Sequence, residues 1–542
     1  MKVSGHIIDI RNKRIFKGEI TTAGKRIAEI RETDEVSNQY ILPGFVDAHV
    51  HVESSMVVPS EFARMAVVHG TVSTVSDPHE IGNVLGVKGV EYMIDNGNQV
   101  NFKFNFGAPS CVPATTFETA GAEITPAEVE YLLRKPEVKY LAEMMNWPGV
   151  LYNDPVVYEK LDIAKKLGKP IDGHAPGLRG EQAERYIKAG ISTDHECFTK
   201  EEALDKLKHG MKIAIREGSA AKNFEALIPL LADYPDMIMF CSDDKHPDNL
   251  VEGHINQLVQ RALAKGHDLF HILQAACINP VEHYGLDVGT LRVGDFADFI
   301  LIDNPEDFNI KATFIDGEPV SDGNRSLIPR VTNEIINNFD CAPVTADQLS
   351  IKATSQQLHV IEALDGQLIT NCLTEAVTAD QDGYAISNTD TDVLKMVVVN
   401  RYAPALPAIA FIKSFGLQEG AIASCVGHDS HNIIAVGVDD ASIARAINMI
   451  IEAQGGVSAV SSEEEQLVPL PVAGIMSADD GYVVAASYSK IDALSKRMGS
   501  QLVSPFMSLS FMALLVIPAL KLSDLGLFDG EKFEFKPLFV DK

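Results

Sequence analysis

Ile41-Leu42-Pro43-Gly44-Phe45-Val46-Asp47-Ala48-His49-Val50-His51 is a hydrophobic run that ends on two histidines one residue apart. Successive side chains of a strand point to opposite faces, so an i, i+2 pair at a strand end turns both imidazoles to one side, where they can converge on one metal ion. The run predicts a catalytic metal centre at the end of a buried strand. The same spacing also occurs at ordinary strand-to-loop junctions. What favours the metal is recurrence, because further His, Glu and Asp residues stand at the ends of later strand-like runs.

From residue 41 to about residue 280, short apolar β-type runs alternate with amphipathic stretches of helical length, the pattern of βα units on a parallel sheet. The runs are 41–50, 71–76, 102–107, 138–143, 169–173, 191–194, 211–215 and 237–242. Helical stretches between them include Pro155–Leu167, with Val156, Tyr158, Leu161 and Ala164 on one side, and Glu181–Lys188 after Gly180. Eight strands with intervening helices predict a (β/α)8 barrel, whose chemistry gathers at the C-terminal strand ends. The polar residues obey that rule. His49, His51 and Glu53 follow the first run, Asp77, His79 and Glu80 the second, Glu143 the fourth, His174 the fifth, His195 the sixth and Asp243 the eighth.

Segments 1–42 and 281–342 read instead as short alternating strands with turn residues. They are expected to pair into one small β-sandwich domain outside the barrel, which takes residues 43–280. Residues 343–542 are expected to form a further C-terminal α/β domain, with strands near 393–402 and 407–413. Its helix near 440–453 has Asp440 as N-cap, Ile443, Ile447, Ile450 and Ile451 on one face and Gly455 past its end.

Composition narrows the function. At 542 residues with 46% hydrophobic content the chain can fill large cores. Forty-six Lys plus Arg against 75 Asp plus Glu give a formal charge of −29, which repels nucleic acid and anionic membrane surfaces. Seven cysteines without CxxC spacing argue against a disulfide scaffold or a thiolate zinc site. The apolar run Phe511–Leu520 contains Pro518 and is too short to span a bilayer. A cytoplasmic enzyme acting on a small molecule is expected.

Two divalent ions need neutral imidazoles, carboxylates and a bridging group. The barrel offers His49, His51, Glu143, His174, His195 and Asp243. This order of ligands resembles the amidohydrolase superfamily, as does Asn279-Pro280 followed by GLDVGTLRVGDFADFILID at 285–303. More closely, PGFVDAHVHVESS (43–55), SDPHEIGNVLG (76–86), AEMMN (142–146), DGHAPG (172–177), TDHE (193–196), CSDD (241–244) and GHDSHN (427–432) are similar to the adenine deaminase family over essentially the full length. In many superfamily members a carbamylated lysine bridges the metals. Here the fourth strand ends on Glu143, with Lys139 near its start, and the family resembled uses glutamate.

The resemblance implies hydrolysis of free adenine to hypoxanthine and ammonia in purine salvage, two ions of manganese or iron(II), and a homo-oligomer. Ligand chemistry alone also admits zinc. The alternative within the fold is amidohydrolase activity on a cyclic amide or another amino-heterocycle.

Asp243 is expected to hold a metal, accept the proton of the attacking water and return it to the leaving amine. Protonation of ring N1 calls for a carboxylic acid of raised pKa, and Glu80 is the candidate. Substrate contacts are expected from Asp77, His79 and Asp244, and from His428 and His431 reaching over the barrel mouth. His246 is a further catalytic candidate. Arg216, Glu217 and Ser219 follow the seventh run without an assigned role, and Trp147 is expected to pack.

Overall fold

The computed structural model of the protein describes residues 1–540. Its centre is a barrel of eight parallel strands: β1 (Phe45–Val50), β2 (Thr71–Ser76), β3 (Lys103–Ala108), β4 (Val138–Met144), β5 (Ile171–Gly173), β6 (Thr193–Asp194), β7 (Lys212–Arg216) and β8 (Ile238–Cys241). Two backbone seams close it. Ser192 N–H donates to the Ile171 carbonyl at 2.9 Å between β5 and β6, and Asp243 N–H donates to the His49 carbonyl at 2.9 Å between β8 and β1. Every residue of β1, β2 and β8 is buried, as parallel strands covered on both faces require.

Buried Asp47 on β1 reinforces the second seam. One of its oxygens accepts from Ser242 N–H at 3.0 Å, and the other pairs with His254 Nε2 at 2.7 Å. The barrel therefore closes at the strand end that carries the histidine pair.

The run 41–50 divides in two. Tyr40–Pro43 pairs antiparallel with Phe299–Ile302 in a different sheet, and β1 starts only after Gly44. A Cβ on Gly44 would lie 2.3 Å from Val72 Cγ1, so only glycine lets the chain pass β2 this closely. The other sheet has seven strands, with Tyr40–Pro43 at its centre between Lys2–Asp9 and Phe299–Ile302. It curls until Ala297 N–H donates to the Lys25 carbonyl at 2.9 Å. The curl encloses a core of Ile7, Ile20, Ile27, Ile41, Phe299 and Phe314, so the sandwich is made by one sheet folded onto itself.

Two helix readings shift in detail. Val156 is exposed and Val157 is buried with Leu161 and Ala164, because the core-facing stripe of Pro155–Lys166 runs through i, i+4 and i+7 from Val157. Asp439, not Asp440, caps helix Asp440–Ala453 by accepting from Ser442 N–H at 2.8 Å. Asp440 instead pairs with buried Lys395 at 2.5 Å.

That helix packs Ile443, Ile447 and Ile450 against an eight-stranded C-terminal sheet running from Thr370–Ala376 to Glu465–Pro469. One hydrophobic cluster continues from the barrel into this unit, from Val50, Val75 and Met145 to Leu368, Phe511 and Leu514. Ser477 fastens the two, donating to the Met56 carbonyl at 2.8 Å and accepting from Val58 N–H at 3.1 Å. The C-terminal unit is thus seated on the barrel mouth. No helix among the described residues is long and apolar enough to cross a membrane.

Candidate active site

The six expected ligands meet at the C-terminal end of the barrel. His49 and His51, at the end of β1, place their Nε2 atoms 3.2 Å apart, and both face Asp243 Oδ1, at 3.6 and 3.3 Å. Glu143, near the end of β4, divides its carboxylate between two groups. Its Oε1 lies 3.2 Å from His51 Nε2, while its Oε2 lies 2.6 Å from His174 Nδ1 and 3.3 Å from His195 Nε2. All six are buried.

The donor set fits divalent cations. Two ligands each about 2.1 Å from one ion lie roughly 3–3.4 Å apart, and four of these six pairs, at 3.2–3.3 Å, have that spacing. Charge points the same way. Among the described residues, the cavity is lined by six carboxylates, those of Glu80, Glu143, Glu196, Asp243, Asp244 and Asp429, against one permanent cation, Arg216. Burying such an excess of negative charge without compensation is strongly unfavourable, and divalent cations held by this donor set would supply the balance.

Backbone and neighbours hold the ligands in place. Asp243 sits in the left-handed region at φ 54°, a conformation that aspartate tolerates and most residues do not. Glu143 N–H donates to Asp77 Oδ2 at 3.2 Å, and the same oxygen lies 3.2 Å from His79 Nδ1. Asn223 donates to the His195 carbonyl at 3.0 Å. Tyr186 joins β4 to β5: its hydroxyl donates to the Met144 carbonyl at 2.6 Å and accepts from His174 N–H at 3.1 Å. Tyr186→Phe should therefore lower stability by about 1–3 kcal/mol. Metal affinity should fall by roughly 10–100-fold, measured by competition with a chelator.

Arg216 is the residue sequence reasoning left without a role. Fully buried, it donates to Asp243 Oδ2 at 2.5 Å and forks onto both oxygens of Glu196. Burial pushes Asp243 upward, but the Arg216 guanidinium together with His51 and His195 outweighs it and holds the carboxyl well below its ordinary range. Glu196 is held down to about 2 against burial by the same guanidinium and by His174 and His195. The available signal was position, since Glu196 follows His195 and Arg216 ends β7. Glu217 points elsewhere and pairs with Arg261. Ser219 accepts from His246 N–H at 2.8 Å.

The second cluster departs from expectation. His428 Nδ1 lies 2.5 Å from Glu80 Oε1, and His431 Nε2 contacts Glu80 Oε2. The GHDSHN segment therefore does reach the barrel mouth, but both imidazoles grip Glu80. Burial would raise the Glu80 pKa as expected for an acid, yet the histidines outweigh it and hold the carboxyl well below its usual range. His428 rises to about 9, because Glu80 and Asp244 overcome the burial that would lower it. The proton of this pair thus resides on the imidazole.

Other candidates fall on either side of the cavity wall. His79, Asp244 and His428 line the cavity, and Asp244 accepts from Ser54 Oγ at 2.5 Å. Asp77 and His431 stand behind it: Asp77 is occupied by Glu143 and His79, and His431 by Glu80. His246 also lies outside, its ring edge-on to Tyr488 with centroids 4.7 Å apart, and burial pushes it down to about 3. Its ring faces Tyr488 rather than the cavity. Trp147 is half-buried and lines an adjoining cavity of about 470 Å³ with Cys111 and Lys160. Sequence reading missed Asp429, Leu368, Phe511 and Leu514, which line the catalytic cavity from the C-terminal unit.

Comparison with known proteins accords with this geometry. Residues 40–320 match the model of the amidohydrolase family, and residues 367–534 match that of the adenine deaminase C-terminal domain. An adenine deaminase of Salinibacter ruber is 53% identical over 542 residues, covering 99% of each chain. One from Sulfurovum sp. is 54% identical over 536 residues, again covering 99% of each. One from Methanosarcina mazei is 49% identical over 554 aligned positions and 100% of both chains. A metal-ligand barrel capped by a matching C-terminal unit, with half the sequence shared end to end, leads to one conclusion: the chain belongs to the adenine deaminase family.

Proposed function

We propose that this chain hydrolyses free adenine to hypoxanthine and ammonia, a reaction of purine salvage. The observation that carries the reading is the pairing of the His49–His51–Glu143–His174–His195–Asp243 set with a cavity closed from the C-terminal unit. Its mixed nitrogen and oxygen donors suit borderline divalent ions, and the family resemblance favours manganese or iron(II). Such ions would be held by these six residues and, when bound, lower the pKa of a water and compensate the buried negative charge.

The remaining steps belong to side chains. Asp243, kept ionised by Arg216, accepts the proton of the attacking water and passes it to the departing amine, so that ammonia leaves. The His428–Glu80 pair, which carries one proton at neutral pH, gives it to ring N1 as attack pushes electrons onto it, and the second proton of the water, released as the C6 carbonyl forms, restores the pair. Phe511, Leu514 and Leu368 exclude bulk water and offer the purine an apolar surface.

The test is ammonia release from adenine, adenosine, guanine, cytosine and dihydropyrimidines, using protein loaded with manganese or ferrous iron. Adenine should be turned over and yield hypoxanthine, with adenosine a poor substrate. Turnover of adenosine without adenine would overturn the substrate assignment, and ring opening of dihydropyrimidines would point to cyclic amide hydrolysis.

A further inference from the structure

The catalytic cavity has a roof that the barrel does not supply. Leu368, Phe511 and Leu514 line it from the C-terminal unit, and the space left is about 20 Å³, room for about one water. Adenine is far larger, so the roof must yield to admit it and then settle on its ring. Leu368 precedes strand Thr370–Ala376, and Phe511 begins the short helix Phe511–Ala513. These are separate stretches of chain, and apolar contact alone leaves their spacing loosely set.

Lys521, on strand Leu520–Ser523, stands where the two stretches meet. Its side chain is fully buried, and its Nζ donates to the Leu368 carbonyl at 2.6 Å and to the Phe511 carbonyl at 2.9 Å. Burial pushes its ammonium down to about 7, with no neighbouring charge contributing to the shift. A methionine would fill comparable volume without burying a cation. Packing alone therefore does not account for a lysine here, whereas joining two carbonyls does.

We propose that Lys521 is a positioning residue for deamination: by tying the main chains of Leu368 and Phe511 together it fixes the roof at the height of the purine ring. The inference rests on the adenine reading of the site. Lys521 does not line the cavity, so it acts only through the roof. The Phe511 ring lies 5.0 Å from the His428 ring at 32°, but His428 is held by Glu80 at 2.5 Å, so a loosened roof leaves that imidazole in place. Loosening the tie weakens the hold on adenine and leaves Asp243 and its ligand neighbours undisturbed.

The experiment compares wild type with Lys521→Met in steady-state adenine kinetics, metal content and hydrogen–deuterium exchange. Loss of binding shared by ground and transition states raises KM alone. Lys521→Met should accordingly raise KM about tenfold with kcat changed by less than about threefold, at full metal content. Exchange should rise at residues 365–371 and 507–515 and nowhere in the barrel. Lys521→Arg, which restores a cation with several donors, should recover part of the KM loss. An unchanged KM, or kcat and metal falling together at constant KM, overturns the proposal. Should Lys521→Met fail to accumulate as folded protein, Lys521→Gln is read in its place with the same expected direction. If wild type does not act on adenine, the substrate reading fails. The exchange pattern then decides by itself whether Lys521 ties the roof.

Discussion

Glu143→Ala should leave a folded barrel that no longer retains two metal ions per chain and deaminates adenine at least about 10³-fold more slowly. The size of the effect follows from the division of the carboxylate. One oxygen faces His51 at 3.2 Å, and the other faces His174 and His195 at 2.6 and 3.3 Å, so this single side chain is common to both halves of the ligand set. Removing it takes a donor from each half and a negative charge from between them. Local packing has less to lose. Glu143 N–H keeps its bond to Asp77, and the strand keeps its ladder to β3. Elemental analysis of dialysed protein measures the metal, circular dichroism the fold and ammonia release the rate. A variant with two ions per chain and wild-type turnover would transfer the bridge to another residue. Glu143→Gln separates charge from shape, since it keeps one ligating oxygen and should fall between the two.

The barrel and the convergence of the six candidate ligands were legible in the sequence because both rest on local rules. Parallel strands buried on both faces are nearly continuous apolar runs, and the chain direction fixes which end carries the chemistry. His49, His51, Glu143, His174, His195 and Asp243 needed only that rule. What was not legible required partners far apart in the chain. Arg216 could be placed at the end of β7, but its bonds to Glu196 and Asp243 reach the loops after the flanking strands β6 and β8, and the sequence does not give the side-chain directions that bring the three together. Glu80 was read from its loop alone as a buried acid of raised pKa. The two histidines that reverse the shift arrive from position 428 onward. Leu368, Phe511 and Leu514 carry no motif, since an apolar residue over a site looks the same in sequence as one in a core. The division of the run 41–50 was legible only as a domain boundary at 42/43, because hydrophobicity continues across Gly44, and the approach to Val72 is what requires the glycine there.

Asp243→Asn separates proton transfer from metal binding. The amide keeps an oxygen for ligation but cannot accept a proton at neutral pH. Turnover of adenine should therefore fall roughly 10²–10⁴-fold, the range for losing a general base. Arg216 makes this variant more informative than it would be alone. In wild type the guanidinium bonds Asp243 at 2.5 Å and Glu196 at 2.8 Å. When Asp243 becomes neutral, Arg216 still has Glu196, so no buried cation is left unpaired and the barrel should stay folded. Loss of rate then reports chemistry, provided metal content is measured on the same sample. Arg216→Met supplies the complement. It leaves Asp243 and Glu196 buried without their shared cation, which favours the protonated carboxyl. The basic form of Asp243 should then appear only at higher pH, and the acid limb of the kcat/KM profile should move upward. A fully metallated Asp243→Asn enzyme near the wild-type rate would assign the proton shuttle elsewhere, with the Glu80–His428 pair as the nearest group that holds a proton.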